Sequence, residues 1–227
     1  MTHSIRTALL AATLAFASLP AVAALKPFTA DYTASYMGLE GNGKMTLAAT
    51  GDNRWNYTLE IQSAVAQLSQ STVFDENGGT WRPLSGHDMS SILIKKSDKQ
   101  ATYDWSHNLA TWSGDVKDDR KGPVALRTGD LDAMLLNLAI VRDVHAGGKA
   151  LTYRMVDEGH GKDMTYRVAG KEPVTVAGKQ RQATRVEGTD GSRQTVLWVV
   201  DDLPVPVRIL RRHDGKDEMD LRLRAVH

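Results

Sequence analysis

Hydrophobic and polar residues alternate one by one along much of the chain after residue 26. The alternation is strictest in five segments, at residues 28–36, 54–62, 102–106, 163–168 and 219–225. In the first of them, Phe28, Ala30 and Tyr32 alternate with Thr29 and Asp31. A period of two places one face of a strand in a core and the other in water, which is typical of antiparallel sheets.

Less regular strand patterns fill much of the remaining chain. They cover residues 44–50, 70–75, 89–96, 109–113, 150–156, 182–187, 193–200 and 205–212. Glycine-containing sequences such as 40–43, 76–79 and 158–161 separate these segments. Glycine and asparagine tolerate the positive φ of tight turns, so the pattern favours consecutive hairpins.

One segment, residues 130–145, has the periodicity of a helix. Its apolar stripe contains Leu131, Met134, Leu135, Leu138 and Val141. Asp130 is the predicted N-cap, and the glycines at 147–148 are the predicted end. The sheet is the one surface that can cover so wide an apolar stripe. A shorter helical turn is predicted at residues 63–69.

These elements predict a mainly β, single-domain protein. A sheet of about ten or eleven strands curls or splits and does not stay flat. We therefore expect an antiparallel open half-barrel with one amphipathic helix packed on its concave face. No linker or change in composition divides residues 24–227, which are expected to form one domain.

The first 23 residues have the pattern of a secretory signal peptide. An apolar stretch at residues 7–19 precedes a small-x-small cleavage site at residues 21–23 (Ala-Val-Ala). No cysteine follows this site, so acylation as a lipoprotein is not expected. No second apolar run has membrane length. The sequence therefore predicts an exported, periplasmic protein without a transmembrane segment in the mature chain.

Composition and motifs exclude several functions. The 28 basic and 27 acidic side chains leave a net charge of +1, which provides no field for binding nucleic acid. The absence of cysteine excludes thiol nucleophiles and cysteine-ligated metals. Nucleophile-elbow, zinc-protease and phosphate-loop motifs are also missing. We therefore expect a protein that is not an enzyme and has no cofactor.

A histidine and a carboxylate lie three residues apart in a predicted turn, at His160 and Asp163. A metal site there would need further ligands, for example His87, Asp88 or His107. A solvated hairpin tip explains the same residues more simply, and no metal site is predicted.

Aromatic residues of the strands and apolar residues of the helix are the main functional candidates. They are Trp55, Tyr57, Trp105, Met134, Leu135 and Leu138. Tryptophan and tyrosine suit amphipathic cavity walls, and methionine adapts to irregular apolar surfaces. These side chains would line a ligand-binding trough, or they would fill a core beneath the helix.

Three motifs resemble those of a bacterial exported family, DUF3108. Residues 27–38 (PFTADYTASYMG) are similar to its FxAxYxxxYxG strand, and residues 79–84 (GTWRPL) to its GxLRPL stretch, with Trp81 at a usually aliphatic position. Residues 195–209 (TVLWVVDDLPVPVRI) are similar to TxLWLAxDxxxLPVRI. The resemblance covers residues 27–226. It implies an open β half-barrel like that of LolA and LolB, which hold acyl chains beneath helices, and it implies no catalytic residues.

Three hypotheses about function follow. The first is a carrier that binds an apolar ligand, such as an acyl chain or an envelope lipid, in the trough. The second is an envelope adaptor with a filled core and an exposed apolar patch or sheet edge that binds another protein. The third is a hydrolase with clustered polar groups of perturbed pKa.

Overall fold

The structure is a computed structural model that describes residues 25–77 and 79–227. The predicted signal peptide at residues 1–23 lies outside the described residues. Among the helices of the described part, none is long and apolar enough to cross a membrane.

The described chain forms fourteen strands and one α-helix. The strands are β1 (Phe28–Tyr36), β2 (Leu39–Gly51), β3 (Arg54–Ser63), β4 (Ala66–Asn77), β5 (Thr80–Ile92), β6 (Lys95–Asp104), β7 (Leu109–Gly114), β8 (Val124–Ala125), β9 (Ala150–Asp157), β10 (His160–Val176), β11 (Lys179–Asp190), β12 (Arg193–Val199), β13 (Arg208–His213) and β14 (Lys216–Val226). Helix α1 (Ala133–His145) lies between β8 and β9. The predicted mainly β fold class is confirmed.

All fourteen strands belong to one antiparallel sheet. Its order runs from β8 back to β1, continues with β14, and then runs back to β9. The first and last strands are therefore neighbours in the middle, and β1 pairs with β14 from Ala30 to Tyr36. Since β8 and β9 lie at the two edges, the curled sheet forms a nearly closed barrel with more strands than the ten or eleven expected.

Three local predictions are wrong. Residues 63–69 form a hairpin turn and the start of β4, because the Ser63 hydroxyl accepts hydrogen bonds from the N–H groups of Val65 (3.3 Å) and Ala66 (3.0 Å). The strand expected at residues 89–96 is interrupted by the turn between β5 and β6. Helix α1 is capped by Asp132, which accepts a hydrogen bond from the Leu135 N–H, and not by Asp130.

Helix α1 lies inside the barrel and fills it. Every residue of the helix from Met134 to Val141 is buried, and Leu135, Ala139 and Ile140 have no exposed surface. The inward faces of the strands supply the surrounding wall, which includes Tyr32, Tyr57, Leu197, Ile209 and Leu221. A helix that is buried on all sides needs apolar residues around its whole circumference, which explains the unusually wide stripe in the sequence.

A smaller apolar cluster lies beside the main core. It consists of Tyr103, Ala110, Trp112, Val116, Leu126 and Val156. These residues come from β6, β7, the segment after β7, and β9. The cluster therefore packs the two edges of the sheet against each other.

Close packing inside the wall predicts a stability effect at Gly188. A Cβ at this position would lie 2.5 Å from the Tyr166 ring, which is buried, whereas a Cβ at Gly51 would meet nothing within 4 Å. We expect Gly188→Ala to lower the free energy of unfolding by about 1–3 kcal/mol through overpacking. Gly51→Ala is the matched control and should leave it nearly unchanged. Urea denaturation tests this, and equal midpoints for the two variants would contradict it.

Candidate functional site

The two edges of the sheet meet without a continuous strand ladder. Leu131, just before the helix, forms an isolated parallel bridge with Met155 of β9. The Leu131 N–H donates to the Arg154 carbonyl (3.1 Å), and the Val156 N–H donates to the Leu131 carbonyl (2.8 Å). We call this junction the seam; it comprises residues 99–103 and 124–132 on one side and 154–158 on the other.

A buried ion pair between Asp130 and Arg154 joins the two sides of the seam. The Asp130 carboxylate is 1% exposed and accepts hydrogen bonds from the Arg154 guanidinium and from the Arg127 N–H (2.8 Å). The same guanidinium donates to the Ala125 carbonyl at 3.3 Å. It passes so close to Gly161 that a Cβ there would lie 2.1 Å from Arg154 Nη2. A side chain at position 161 would therefore displace the guanidinium from this position.

Three further side-chain contacts join the two sides of the seam. The Tyr103 hydroxyl of β6 donates a hydrogen bond to the Val156 carbonyl at 3.2 Å. Lys99 of β6 pairs with Glu158, which follows β9, and Arg120 lies 3.5 Å from the same carboxylate. The seam is thus held mainly by side chains, and these can separate without breaking the ladders of the neighbouring strands.

The N-terminus of α1 is anchored inside the seam by Asp132. One carboxylate oxygen accepts a hydrogen bond from the Leu135 N–H (2.8 Å), and the other accepts one from the Thr72 hydroxyl of β4. Burial raises the pKa of Asp132 to about 7, although both hydrogen bonds act in the opposite direction. The helix cap is therefore a carboxyl group that is partly protonated near neutral pH.

A pocket of about 30 Å³ lies beside this cap. Its lining is rich in polar and acidic groups, including Thr72, Asp88, Lys99, Asp132 and Asp157. Burial, and then the charges of Glu158 and Asp88, raise the pKa of Asp157 to about 6. The volume is enough for water but not for an acyl chain. Within the described residues, no group of three or more histidine and acidic side chains could hold a metal ion.

The structure brings four of the six sequence-predicted trough residues together. Tyr57, Met134, Leu135 and Leu138 are all buried in the main core. Trp55 is partly buried at the margin of this core. Tyr57 and Trp55 belong to the wall around the helix, the other three belong to the helix itself, and the interior is packed around them.

Trp105 lies apart from the other predicted trough residues. It packs against the smaller apolar cluster, and its indole N–H donates to the Pro83 carbonyl at 2.7 Å. The Arg82 guanidinium lies 5.8 Å from the centre of its ring. This residue therefore lies in the turn after β6 and not in the wall around the helix.

The sequence pattern does not reveal the polar residues of the seam and of the pocket beside it. It indicates Asp88 only as a possible metal ligand and Asp130 only as a helix cap. Asp132, Arg154 and Asp157 match no functional motif, and isolated charged residues are normally exposed on strands and turns. The signal that indicates one of them is a second aspartate, Asp132, which lies two residues before Met134 of the helical stripe.

A nearly closed antiparallel barrel around one buried helix defines a β-barrel-like protein. A family profile with the description "Protein of unknown function (DUF3108)" matches residues 31–222. The chain belongs to this family, which confirms the resemblance seen in the three motifs. The specific likeness to LolA and LolB stays a prediction.

One solved structure of similar fold comes from Brucella abortus and is described as a beta-barrel-like protein of domain of unknown function DUF1849. It has a TM-score of 0.51 and 10% sequence identity, covering 88% of this chain and 96% of that chain. At this identity the similarity shows the fold alone. A comparison with curated proteins finds no match.

Proposed function

We propose that the protein is a periplasmic binding protein that takes an apolar chain, such as an acyl chain of an envelope lipid, into the barrel. The observation that carries this proposal is the seam. The apolar interior is enclosed by strand ladders everywhere except there, where side-chain contacts and one bridged residue join the edges. In this proposal the protein binds its ligand and catalyses no reaction.

The helix supports this proposal because it can be replaced by a ligand of similar character. Its buried residues are almost all aliphatic, and they face the inward aliphatic and aromatic side chains of the strands. An acyl chain offers the wall the same kind of surface. Dispersion and burial of apolar area are not directional. Contacts with a ligand could therefore replace the contacts with the helix without requiring a precise ligand geometry.

Local stability also favours movement at the seam. Segments held by few backbone hydrogen bonds open more readily than the ladders around them. The segment at residues 126–132 leads directly into α1, and the glycines at 147–148 follow the helix. Opening the seam would therefore let the helix swing outward while both of its ends stay attached to the sheet.

A disulfide across the seam tests the proposal. The natural chain has no cysteine, and Leu131 and Met155 are bridge partners, so Leu131→Cys/Met155→Cys would introduce a single possible crosslink at close backbone approach. The probe is cis-parinaric acid, whose fluorescence rises in an apolar site. We expect the oxidised variant to bind at least about tenfold more weakly than the reduced one, because locking removes the open state.

The matched control is Thr152→Cys/Thr165→Cys, a pair that lies within the β9–β10 ladder and is exposed on both strands. Its affinity should be the same in the oxidised and reduced states. Equal binding by the oxidised and reduced seam variants would exclude entry through the seam. No binding of the probe by any form, including wild type, would exclude the apolar-chain proposal.

A further inference from the structure

Three neighbouring hairpins carry exposed apolar side chains at their turns. The turns follow β1, β3 and β5, and we call residues 35–40, 64–65 and 93–94 the apolar tips. Ile94 is 98% exposed and Leu93 is 73% exposed, and Met37, Leu39 and Val65 are also exposed. Among the described residues, the other exposed large hydrophobic side chains are Met89 on the wall of β5 and Leu109 at the opposite end.

The strand register places the three tips side by side. One line of paired residues crosses β1 to β6 through Ala34, Gly41, Ser63, Ala66, Ile92 and Lys95. Every apolar tip projects beyond this line on the same side. The second and third tips are also joined directly, because the Leu93 N–H donates to the Val65 carbonyl at 2.9 Å. The tips therefore form one continuous apolar rim at one end of the barrel.

In two of the tips, an apolar residue has a backbone conformation that such residues do not favour. Met37 and Leu93 have positive φ values of 49° and 53°. Glycine and asparagine favour this conformation, and bulky apolar residues do not. Of the other hairpin turns of this barrel, four have an asparagine or acidic residue at positive φ (Asn53, Asn108, Glu158 and Asp214), and one has Ala177. An apolar side chain that is unfavourable for its turn and exposed to water is best explained by a contact outside the chain.

Charge distinguishes the apolar rim from the rest of the same end. Lys95 and Lys96 follow Ile94 directly and are exposed, and Glu40 is the acidic residue within the tips. The other turns at this end carry charges of both signs, since Glu158 pairs with Lys99 and Asp190 pairs with Lys162. The end is thus divided into an apolar side that carries two adjacent lysines and a side of mixed charge.

We propose that the apolar tips dock the protein onto the surface of an anionic phospholipid bilayer. Separate projecting tips with aliphatic side chains suit insertion between lipid headgroups, where burial is not directional. The two lysines would lie at the level of anionic headgroups, with their aliphatic stems along the apolar region. A protein partner fits less well, because the centres of protein interfaces are enriched in tryptophan, tyrosine and arginine, which the exposed tip residues lack.

This docking would also bring the seam close to the bilayer. Glu158, which pairs with Lys99 across the seam, belongs to the turn after β9 at the same end of the barrel. The docking proposal does not require ligand binding, and it is tested without any ligand.

Flotation with vesicles provides the first test, using phosphatidylglycerol–phosphatidylethanolamine vesicles and vesicles of phosphatidylcholine alone. The key variant is Met37→Asn/Leu93→Asn, since asparagine suits both turns and should keep the fold intact. We expect this variant to bind anionic vesicles at least about tenfold more weakly than wild type. Leu109→Asn, at the opposite end, is the matched control and should bind like wild type. Lys95→Gln/Lys96→Gln should remove the preference for anionic vesicles.

A labelled cysteine locates the contact directly. Ile94→Cys carrying an NBD fluorophore should show a blue-shifted emission when vesicles are added, and Leu109→Cys with the same label should not. Wild type that fails to float, or a tip variant that floats like wild type, would overturn the proposal. A tip-dependent dimer in sedimentation velocity without vesicle binding would assign the rim to a second copy of the chain and would also overturn it.

Discussion

Replacing Arg154 by methionine is expected to lower the free energy of unfolding by about 3–5 kcal/mol. Methionine keeps much of the apolar stem but removes the charge that faces Asp130. The Asp130 carboxylate is 1% exposed, so the variant would leave a buried charge without its partner, which is the costly case for an ion pair. Urea denaturation measures the loss, and hydrogen exchange at the Leu131 and Val156 amides should quicken because both lie in the seam.

A comparison with an exposed ion pair gives this prediction its control. Arg167 lies 2.8 Å from Glu187, but its side chain is 70% exposed, so Arg167→Met should cost less than about 1 kcal/mol. Adding Asp130→Asn to Arg154→Met should recover part of the lost stability, since the stranded charge is removed. If Arg154→Met costs no more than Arg167→Met, the seam is not held by the buried pair.

Stability is expected to fall as pH rises from 5 to 8. Burial raises the pKa of Asp132 to about 7 and that of Asp157 to about 6, both above the value of about 4 in an unfolded chain. The folded state therefore keeps protons in this range that the unfolded state has already lost. The stabilisation by these protons disappears as pH rises through the folded pKa values, with a loss of about 4 kcal/mol for the two groups together.

Asp132→Asn should remove most of this pH dependence. Asparagine caps a helix about as well as aspartate, so the Leu135 N–H keeps its acceptor while the ionisation is abolished. The variant should be about 2.5 kcal/mol more stable than wild type at pH 8 and similar to it at pH 5. Asp163→Asn, at an exposed position of β10, is the control and should follow wild type. An unchanged pH slope in Asp132→Asn would show that this carboxyl group does not titrate as described.

The strands and the helix could be predicted because burial on one face leaves a period in the sequence. The alternation of Phe28, Ala30 and Tyr32 corresponds to inward residues of β1, and the stripe from Leu131 to Val141 marks the buried segment of α1. The positions of the turns are harder to predict from the sequence. The apolar run around Leu93 and Ile94 reads as strand, although it is the exposed turn between β5 and β6.

The degree of barrel closure and the seam could not be predicted. Closure depends on how far a sheet of fourteen strands curls, which is a property of the whole sheet and leaves no local pattern. The pairing of Asp130 with Arg154 joins residues 24 positions apart across two sheet edges. A single aspartate in a loop gives no sign that it will be buried, so the electrostatics of the site emerged only from the folded arrangement.

The seam is the place where the polar contacts of the protein meet its apolar interior. Its polar contacts enclose an apolar interior, and its buried carboxyl group caps the helix that fills that interior. Loss of a proton from Asp132 places a charge at this cap, so ionisation should loosen the same junction that a ligand would have to pass. The Arg154 and Asp132 variants therefore alter the proposed entrance without changing the apolar wall.

Native mass spectrometry of the mature protein, purified from the periplasm after export and then extracted with organic solvent, tests the central claim most directly. Binding of an apolar chain predicts an additional mass on the folded protein, which is released by the solvent and identified as a lipid or fatty acid in the extract. The bare protein mass, together with no uptake of cis-parinaric acid by the extracted and refolded protein, would contradict it.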